Sequence, residues 1–300
     1  MELGFIGLGR MGQAMVIKLA IAGHRVVAYD VSPQAVVAVA FPGVEGASGM
    51  SELVAALTPP RTIWVMVPAG KPVDEVFFNG LLPHLAAGDL LVDGGNSNYK
   101  DSVRRAQELR EKGIDLLDVG TSGGLEGAEQ GLSFMVGGPK AAFKRLEPVL
   151  RSLAAPSGYG HVGPSGAGNF VKTVHNGVEY ALLQSYAEGF EVLREGPYEL
   201  DLGQVAGIWN NGGVVRSWLL GLAQRILEKD AGIKGLAAEV GGGETGRWAI
   251  EAAMDAGVPF ATLAVALSQR YHSRRKSFAA RLVAALRREF GGHPVSPSKE

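Results

Sequence analysis

Residues 3–12 read Leu3-Gly4-Phe5-Ile6-Gly7-Leu8-Gly9-Arg10-Met11-Gly12, a short apolar run that breaks directly into a Gly-x-Gly-x-x-Gly turn. Residues 13–22 follow with amphipathic helical spacing and stop at Gly23, a residue suited to the position just past a helix C-terminus. A strand, a glycine turn and a helix in this order form the start of a dinucleotide-binding unit. One glycine makes the tight turn, one lets a pyrophosphate approach the backbone, and one lets helix and strand pack closely. The phosphates then rest on the helix N-terminus, where free N–H groups and the helix dipole favour an anion.

Working outward, a second apolar run at 25–29 ends at Asp30. A carboxylate there can hydrogen-bond the adenosine ribose hydroxyls and would repel a 2′-phosphate, which favours NAD and makes NADP the lesser expectation. Read alone, Asp30 could equally cap the next helix. The complete strand–turn–helix–strand context favours the ribose role. Similar runs recur at 62–67, 90–92, 116–117 and 133–136, each bounded by Gly, Pro or Asp. The early intervals between them can hold helices. This alternation predicts a mostly parallel sheet covered on both faces, a doubly wound Rossmann-type α/β fold.

The texture changes near Ala155. Residues 156–168, PSGYGHVGPSGAG, are rich in Gly and Pro and read as an inter-domain junction. Beyond it, 169–195, 202–229, 245–256 and 260–290 are rich in Ala, Leu, Glu and Arg and read as helical. The expected organisation is an NAD-binding α/β domain at 1–163 and an all-α C-terminal domain at 164–300.

Composition excludes several classes. Lys and Arg number 29 against 30 Asp and Glu, so there is no basic surplus to hold nucleic acid. With 46% apolar and 20% charged residues, disorder is excluded as the main theme. Cysteine is absent, which removes disulfides, thiolate nucleophiles and cysteine-held metals, and no metal is expected. The longest segment free of Asp, Glu, Lys and Arg, 152–171, is full of Gly, Pro and Ser and unsuited to a membrane. Met1-Glu2-Leu3-Gly4 shows no basic stretch leading into an apolar one, so the expectation is a cytoplasmic protein with no membrane contact.

The chemistry concentrates at 169–180, NFVKTVHNGVEY. Wound at about 100° per residue with Lys172 at zero, Asn176 falls near about +40°, Tyr180 +80°, Glu179 −20° and His175 −60°. Val171, Val174, Val178 and Ala181 fall on the other side. Any one of these polar side chains is ordinary on a solvated helix face; five on one arc beside a Gly-rich junction point to a site. Gly177 costs up to about 1 kcal/mol in a helix interior, so a close neighbour is expected there. A Lys of lowered pKa can take a hydroxyl proton as hydride leaves and then polarise the new carbonyl. Asn176 can position the same oxygen. Glu179, two turns on, can protonate a second carbon, and acid and base on neighbouring carbons suit oxidation followed by β-decarboxylation.

At these residues the chain resembles the decarboxylating 6-phosphogluconate dehydrogenases, in particular their short, NAD-preferring type within the β-hydroxyacid dehydrogenases. The resemblance covers essentially the whole chain. It rests on GLGRMG at 7–12, DGGNS at 93–97, SGGLEGA at 122–128, KTVHNGVEY at 172–180, RSWL at 216–219 and RREFGGH at 287–293. It implies that Lys172 is the base, and later the acid, at C3, with Asn176 beside it. Glu179 would protonate C1 of the enediol once carbon dioxide has left, giving ribulose 5-phosphate. Asn96, Ser122, Gly123, Gly124, His175 and Asn176 would hold the sugar acid, and Tyr180, Thr245 and Arg216 its phosphate. Arg287 and His293 would reach into a partner subunit's site. Gly7, Gly9, Arg10, Met11, Gly12, Asp30, Val67, Pro68 and Asn96 would line the NAD site. A homodimer or homotetramer would form through the helical domain.

The chain also departs from the long NADP-type members, which carry GLAVMG in the first turn and Asn-Arg-Thr after the second strand. Here GLGRMG and Asp30-Val31-Ser32 stand in those places. A phosphate-binding Lys of the long type falls near Gly243, so either Arg247 compensates or the phosphate is held less tightly. The second helical repeat of the long type is also lacking. The nearest rival reading is a 3-hydroxyisobutyrate or tartronate semialdehyde type of dehydrogenase, which does not need Glu179, Tyr180 or a phosphate-binding tail. A cofactor-sensing binding protein without turnover is the rival from another class.

Overall fold

The computed structural model describes residues 1–273, 278–292 and 294–295. The chain divides into two compact units, Met1–Thr173 and Val174–Glu300. The first is built on eight strands: β1 (Glu2–Ile6), β2 (Arg25–Tyr29), β3 (Val44–Gly46), β4 (Thr62–Val65), β5 (Leu90–Asp93), β6 (Asp115–Ser122), β7 (Leu132–Gly137) and β8 (Ala154–Gly163). Their order in the sheet is β3-β2-β1-β4-β5-β6-β7-β8. The first six are parallel, β7 is antiparallel to β6, and β8 runs parallel to β7. Between them lie α1 (Arg10–Ile21), α2 (Pro33–Ala38), α3 (Met50–Ala55), α4 (Lys71–Asp74), α5 (Tyr99–Arg110), α6 (Gly124–Gln130) and α7 (Lys140–Leu153).

Strand alternation decides the layers. In β1, Leu3 and Phe5 enter one core and Ile6 the other; in β4, Trp64 joins the first core while Ile63 and Val65 join the second. Both faces are therefore apolar, as a parallel sheet covered on both sides requires. Because β2 and β4 flank β1 on opposite sides, the winding reverses between β1 and β4. Ligands of such sheets bind outside the strand carboxyl ends at that reversal. Along this edge the chain presents the turn at 7–12 after β1, Asp30 after β2, Val67-Pro68 after β4, Asn96 after β5 and Ser122 at the end of β6.

The structure differs from the sequence reading at several places. The stretch 156–168 is not wholly a junction: most of it is β8, an edge strand paired with β7, with Tyr159 and His161 packed on Phe143 of α7. Its glycines and prolines hide the strand because its stability comes from that pairing rather than from an apolar run. β3 is three residues long, with two of them exposed, too short to announce itself.

Helix α8 (Ala167–Glu195) contains the unit boundary. The second unit continues with α9 (Leu202–Asn210), α10 (Trp218–Lys229), α11 (Glu244–Asp255), α12 (Ala261–Tyr271) and α13 (Phe278–Gly291). The segment 202–229 is two helices, because the Asn210-Asn211-Gly212-Gly213 turn ends the first and Ser217 caps the second through the Leu220 N–H. Gly212, at φ 98°, takes a left-handed conformation there. The segment 260–290 is likewise split after Tyr271. Leu183 and Phe190 of α8, Ala206 of α9, Leu220 and Ala223 of α10 and Leu282 and Leu286 of α13 form the core of this unit. Among the described residues no helix is long and apolar enough to cross a membrane.

Candidate active site

The three glycines of the first turn play three distinct parts. Gly7 takes φ 97°, which favours glycine. Gly12 lies so close that a Cβ would stand 2.0 Å from the Gly7 carbonyl oxygen, so it sets the helix–strand contact. A Cβ on Gly9 would meet nothing, leaving open space before the N-terminus of α1. That space and those unpaired N–H groups suit a pyrophosphate. Arg10 is exposed and Met11 half-buried at the same turn. Asp30 accepts from the Leu8 N–H at 2.7 Å and the Ser32 N–H at 2.8 Å. It therefore ties the glycine turn to the end of β2; Ser32, not Asp30, occupies the N-cap position of α2. Val67 is half-buried and Pro68 exposed.

The start of α8 is seated on bare backbone. A Cβ on Gly168 would stand 2.2 Å from the Asp118 carbonyl oxygen and 2.5 Å from that of Met135. A Cβ on Gly120 of β6 would stand 2.4 Å from the Cβ of Lys172. Asp118 is buried and its carboxylate accepts from the N–H groups of Gly166 at 2.7 Å and Asn169 at 2.8 Å. Burial pushes the Asp118 carboxyl above its ordinary range, against the pull of those N–H donors. The seat leaves Lys172 only 7% exposed.

Further along α8 the polar arc is the inward one. Asn176 and Tyr180 are buried while Val178 is exposed, the reverse of an ordinary surface helix. His175 Nδ1 and Asn176 Oδ1 are 3.2 Å apart. Gly177 meets the close neighbour its presence implied: a Cβ would lie 2.9 Å from both Leu263 and Phe260.

Tyr180 begins a cation-rich corner. Its hydroxyl lies 3.1 Å from Thr245 Oγ1, and Gly246 gives the ring room to approach α11. The guanidinium of Arg270, on α12, lies over the Tyr180 ring at 3.7 Å and donates to the Gly241 carbonyl at 3.2 Å. Arg287, on α13 of the same chain, donates to that same carbonyl. Burial pulls Arg270 down to about 10; Tyr180 and Glu179 oppose this and Arg287 adds to it. Burial lowers Arg287 too. A buried and a half-buried guanidinium that share one carbonyl acceptor suit an anionic ligand. Sequence reasoning missed Arg270, because Ser268-Gln269-Arg270-Tyr271-His272 reads as an ordinary helix surface.

Other expected residues stand as follows. Asn96 is exposed between the buried Asp93 and Ser97. Ser122 ends β6, and Gly123 and Gly124 follow at φ 126° and 60°. Arg216 is exposed on the α9–α10 turn with Nη1 3.4 Å from the Gly213 carbonyl. Tyr186 bonds Val215 and Ser217 on that turn, so the turn meets α8 about 9 Å beyond Tyr180 along the helix. Arg247 is exposed on α11, one turn past Gly243 and about 40° round the helix from it. Gly243, at φ 130°, is the N-cap of α11. His293 lies outside the described residues. Among those residues there is no group of three or more His, Cys, Asp or Glu that could hold a metal ion.

A glycine turn at the reversal of a doubly wound sheet, with a desolvated lysine on the first long helix after it, defines a dinucleotide-dependent dehydrogenase. Comparison with known proteins refines this. Residues 2–165 match the NAD-binding domain of 6-phosphogluconate dehydrogenase, and residues 168–296 match the C-terminal domain of 6-phosphogluconate dehydrogenase. A protein of Haloferax volcanii named 6-phosphogluconate dehydrogenase, NAD(+)-dependent, decarboxylating, is 48% identical over 99% of both chains. A Bacillus subtilis protein of the same name is 38% identical over 92% of this chain and 62% of its own. The structure of Plasmodium falciparum 6-phosphogluconate dehydrogenase superposes with a TM-score of 0.84 at 31% identity, over 91% of this chain and 62% of that one. The chain belongs to the 6-phosphogluconate dehydrogenase family.

Proposed function

We propose that the protein oxidises 6-phosphogluconate with NAD and decarboxylates the product to ribulose 5-phosphate. The observation that carries this reading is the corner where Arg270 and Arg287 meet at the Gly241 carbonyl beside Tyr180 and Thr245. It suits a phosphate dianion, which two guanidiniums donating to one carbonyl can hold and an unphosphorylated hydroxyacid does not supply. NAD supplies the hydride acceptor. Lys172 takes the proton of the C3 hydroxyl and returns it to the C3 oxygen as carbon dioxide leaves, and Asn176 orients that oxygen. Glu179 protonates C1 of the resulting enediol. His175, Asn96, Ser122 and the backbone at Gly123-Gly124 hold the sugar acid, and Tyr180, Thr245, Arg270 and Arg287 hold its phosphate. Arg216, on the α9–α10 turn, is the further residue that the family resemblance gives to the phosphate.

The finer assignments follow the same reading. Asp30 favours NAD over NADP through its charge at the end of β2. The boundary at 163/164 separates a cofactor-binding part from a helical part carrying the phosphate corner. Exposed Val178, Leu182, Ile208, Met254 and Val265 suit association into a homodimer or homotetramer through helices. The protein acts in the cytoplasm.

The test is NADH formation from 6-phosphogluconate with carbon dioxide trapped, repeated with NADP and with gluconate. Equal NADH and carbon dioxide, with NAD and the phosphorylated acid preferred, are expected. NADH without carbon dioxide would remove the role given to Glu179. The Lys172→Met variant should keep NADH affinity within about twofold while turnover falls by about 10² or more, the usual worth of a general base.

A further inference from the structure

The structure buries a third guanidinium, one that no step of the reaction uses. Arg105, on α5, is fully buried. Its Nε donates to Asp74 at 2.7 Å, and its Nη2 donates to the Gly70 carbonyl at 3.0 Å. Its Nη1 donates to Ser97 Oγ at 3.1 Å and lies 3.4 Å from Asp93. Asp101, one turn earlier, is 4.0 Å from Nη2, and Arg104 also pairs with Asp74. Burying a guanidinium is costly, and an apolar side chain of similar volume often serves stability as well. What the guanidinium adds is a rigid plane with donors in two directions.

Those directions are informative. Gly70 and Asp74 belong to the segment that follows β4 and carries Val67 and Pro68. Asp93 and Ser97 bracket Asn96 after β5; Asp93 also holds the Gly95 N–H at 3.2 Å. One planar group thus spans the two loops at the carboxyl ends of adjacent strands, where this fold places its ligands. One turn earlier on α5, Ser102 accepts from Asn169 Nδ2 at 2.9 Å, in the first turn of the helix that carries Lys172.

We propose that Arg105 is a positioning residue for the reaction: its fork fixes the spacing between the loop after β4, which faces the cofactor, and the loop after β5, which presents Asn96 to the sugar acid. The proposal rests on the reaction assigned above, and its two arms can be cut separately. Arg105→Met is the obvious variant but removes every bond at once and risks unfolding, so single-arm variants decide. Ser97→Ala removes the Ser97 bond of Arg105, along with the bond between Ser97 and Asp93, and leaves the Asp74 and Gly70 side intact. It should raise KM for 6-phosphogluconate and lower kcat by about tenfold together, the worth of one charge-assisted hydrogen bond, with NADH affinity within about twofold. Asp74→Ala removes the Nε bond on the other side, along with a partner of Arg104, and leaves the Gly70 bond; it should weaken NADH binding about tenfold, with KM for the sugar acid within about twofold. Arg105→Lys keeps the charge without the fork and should show both defects.

Two results would overturn the proposal: variants that melt earlier but keep kcat, KM and NADH affinity, or the same parameter moving equally in both single-arm variants. If the unaltered protein fails to oxidise 6-phosphogluconate, the assigned reaction falls. The NADH titrations then decide for Arg105 alone, with loss in Asp74→Ala and not in Ser97→Ala supporting it and any other pattern sinking it.

Discussion

Arg270 is a buried charge whose proposed use is to hold the substrate's phosphate. Its pKa near 10 means that folding keeps this cation out of water at a cost. Arg270→Met should therefore melt no lower than the unaltered protein, while transition-state binding of the phosphorylated acid weakens by roughly 2–5 kcal/mol. Activity on gluconate should change little, and the ratio of kcat/KM for the two acids measures the effect. In the unaltered protein kcat/KM should fall as pH rises through about 10, because the free guanidinium loses its proton there. Asp30 makes a second residue-level case. Asp30→Ala should weaken NAD far more than NADP if the carboxylate faces the ribose. Equal losses in titrations of the two cofactors would mean that its bonds to Leu8 and Ser32, which hold the glycine turn, are its whole contribution. Asp30 was readable from its spacing after the turn. Arg270 was not, because only the packing of α12 beside Tyr180 distinguishes it from a solvated arginine.

At the scale of elements, α8 depends on glycine at both of its working points. At its start, a methyl group on Gly168 would meet backbone oxygens of β6 and β7, which cannot rotate away. Gly168→Ala should cost about 1–3 kcal/mol or more, as overpacking does, and turnover should fall because Lys172 moves with the helix. Urea unfolding and steady-state kinetics on the same preparation would check both; a stable, fully active variant would show that the seat tolerates movement. Gly177 was anticipated from its cost in a helix, and its partners Phe260 and Leu263 came only with the fold. The polar arc from Lys172 to Tyr180 was legible from helical period alone. Its inward direction was not, since the same pattern describes a helix turned toward water. β8 escaped notice for a related reason: a glycine-rich edge strand is specified by its neighbour.

At the scale of the whole molecule, the mostly parallel sheet followed from apolar runs and turn residues, while β3 and the reversal at β7 had no marker in the chain. The buried ionisable groups of the first unit pull stability in opposite directions with pH. His24 is buried, with Nε2 2.8 Å from Ser152 Oγ, and burial followed by the charge of the N-terminus holds its pKa below the ordinary value. A group depressed on folding contributes stability above its unfolded pKa of about 6.5, and that contribution is lost as pH falls further toward its folded value. His24→Gln should flatten the decline in melting temperature between neutral pH and pH of about 5. Asp93 and Asp118, raised by burial, act with the opposite sign: they weigh on the fold at neutral pH and are relieved as acid protonates them.

The boundary between the two units falls after Thr173, inside α8 and between Lys172 and Asn176. Exchange of halves between related genes therefore has a preferred seam. A crossover at the boundary itself would join the first turn of one parent's helix to the remainder of another's, separating the lysine from the asparagine and glutamate that share its arc. A crossover a few codons earlier, in the turn between β8 and α8, would transmit the helix whole, and the partner it must then match is the glycine seat on β6 and β7. Family shuffling of such genes should yield active chimaeras when Gly120, Gly137 and Asp118 are kept by both parents, whatever else differs across the joint.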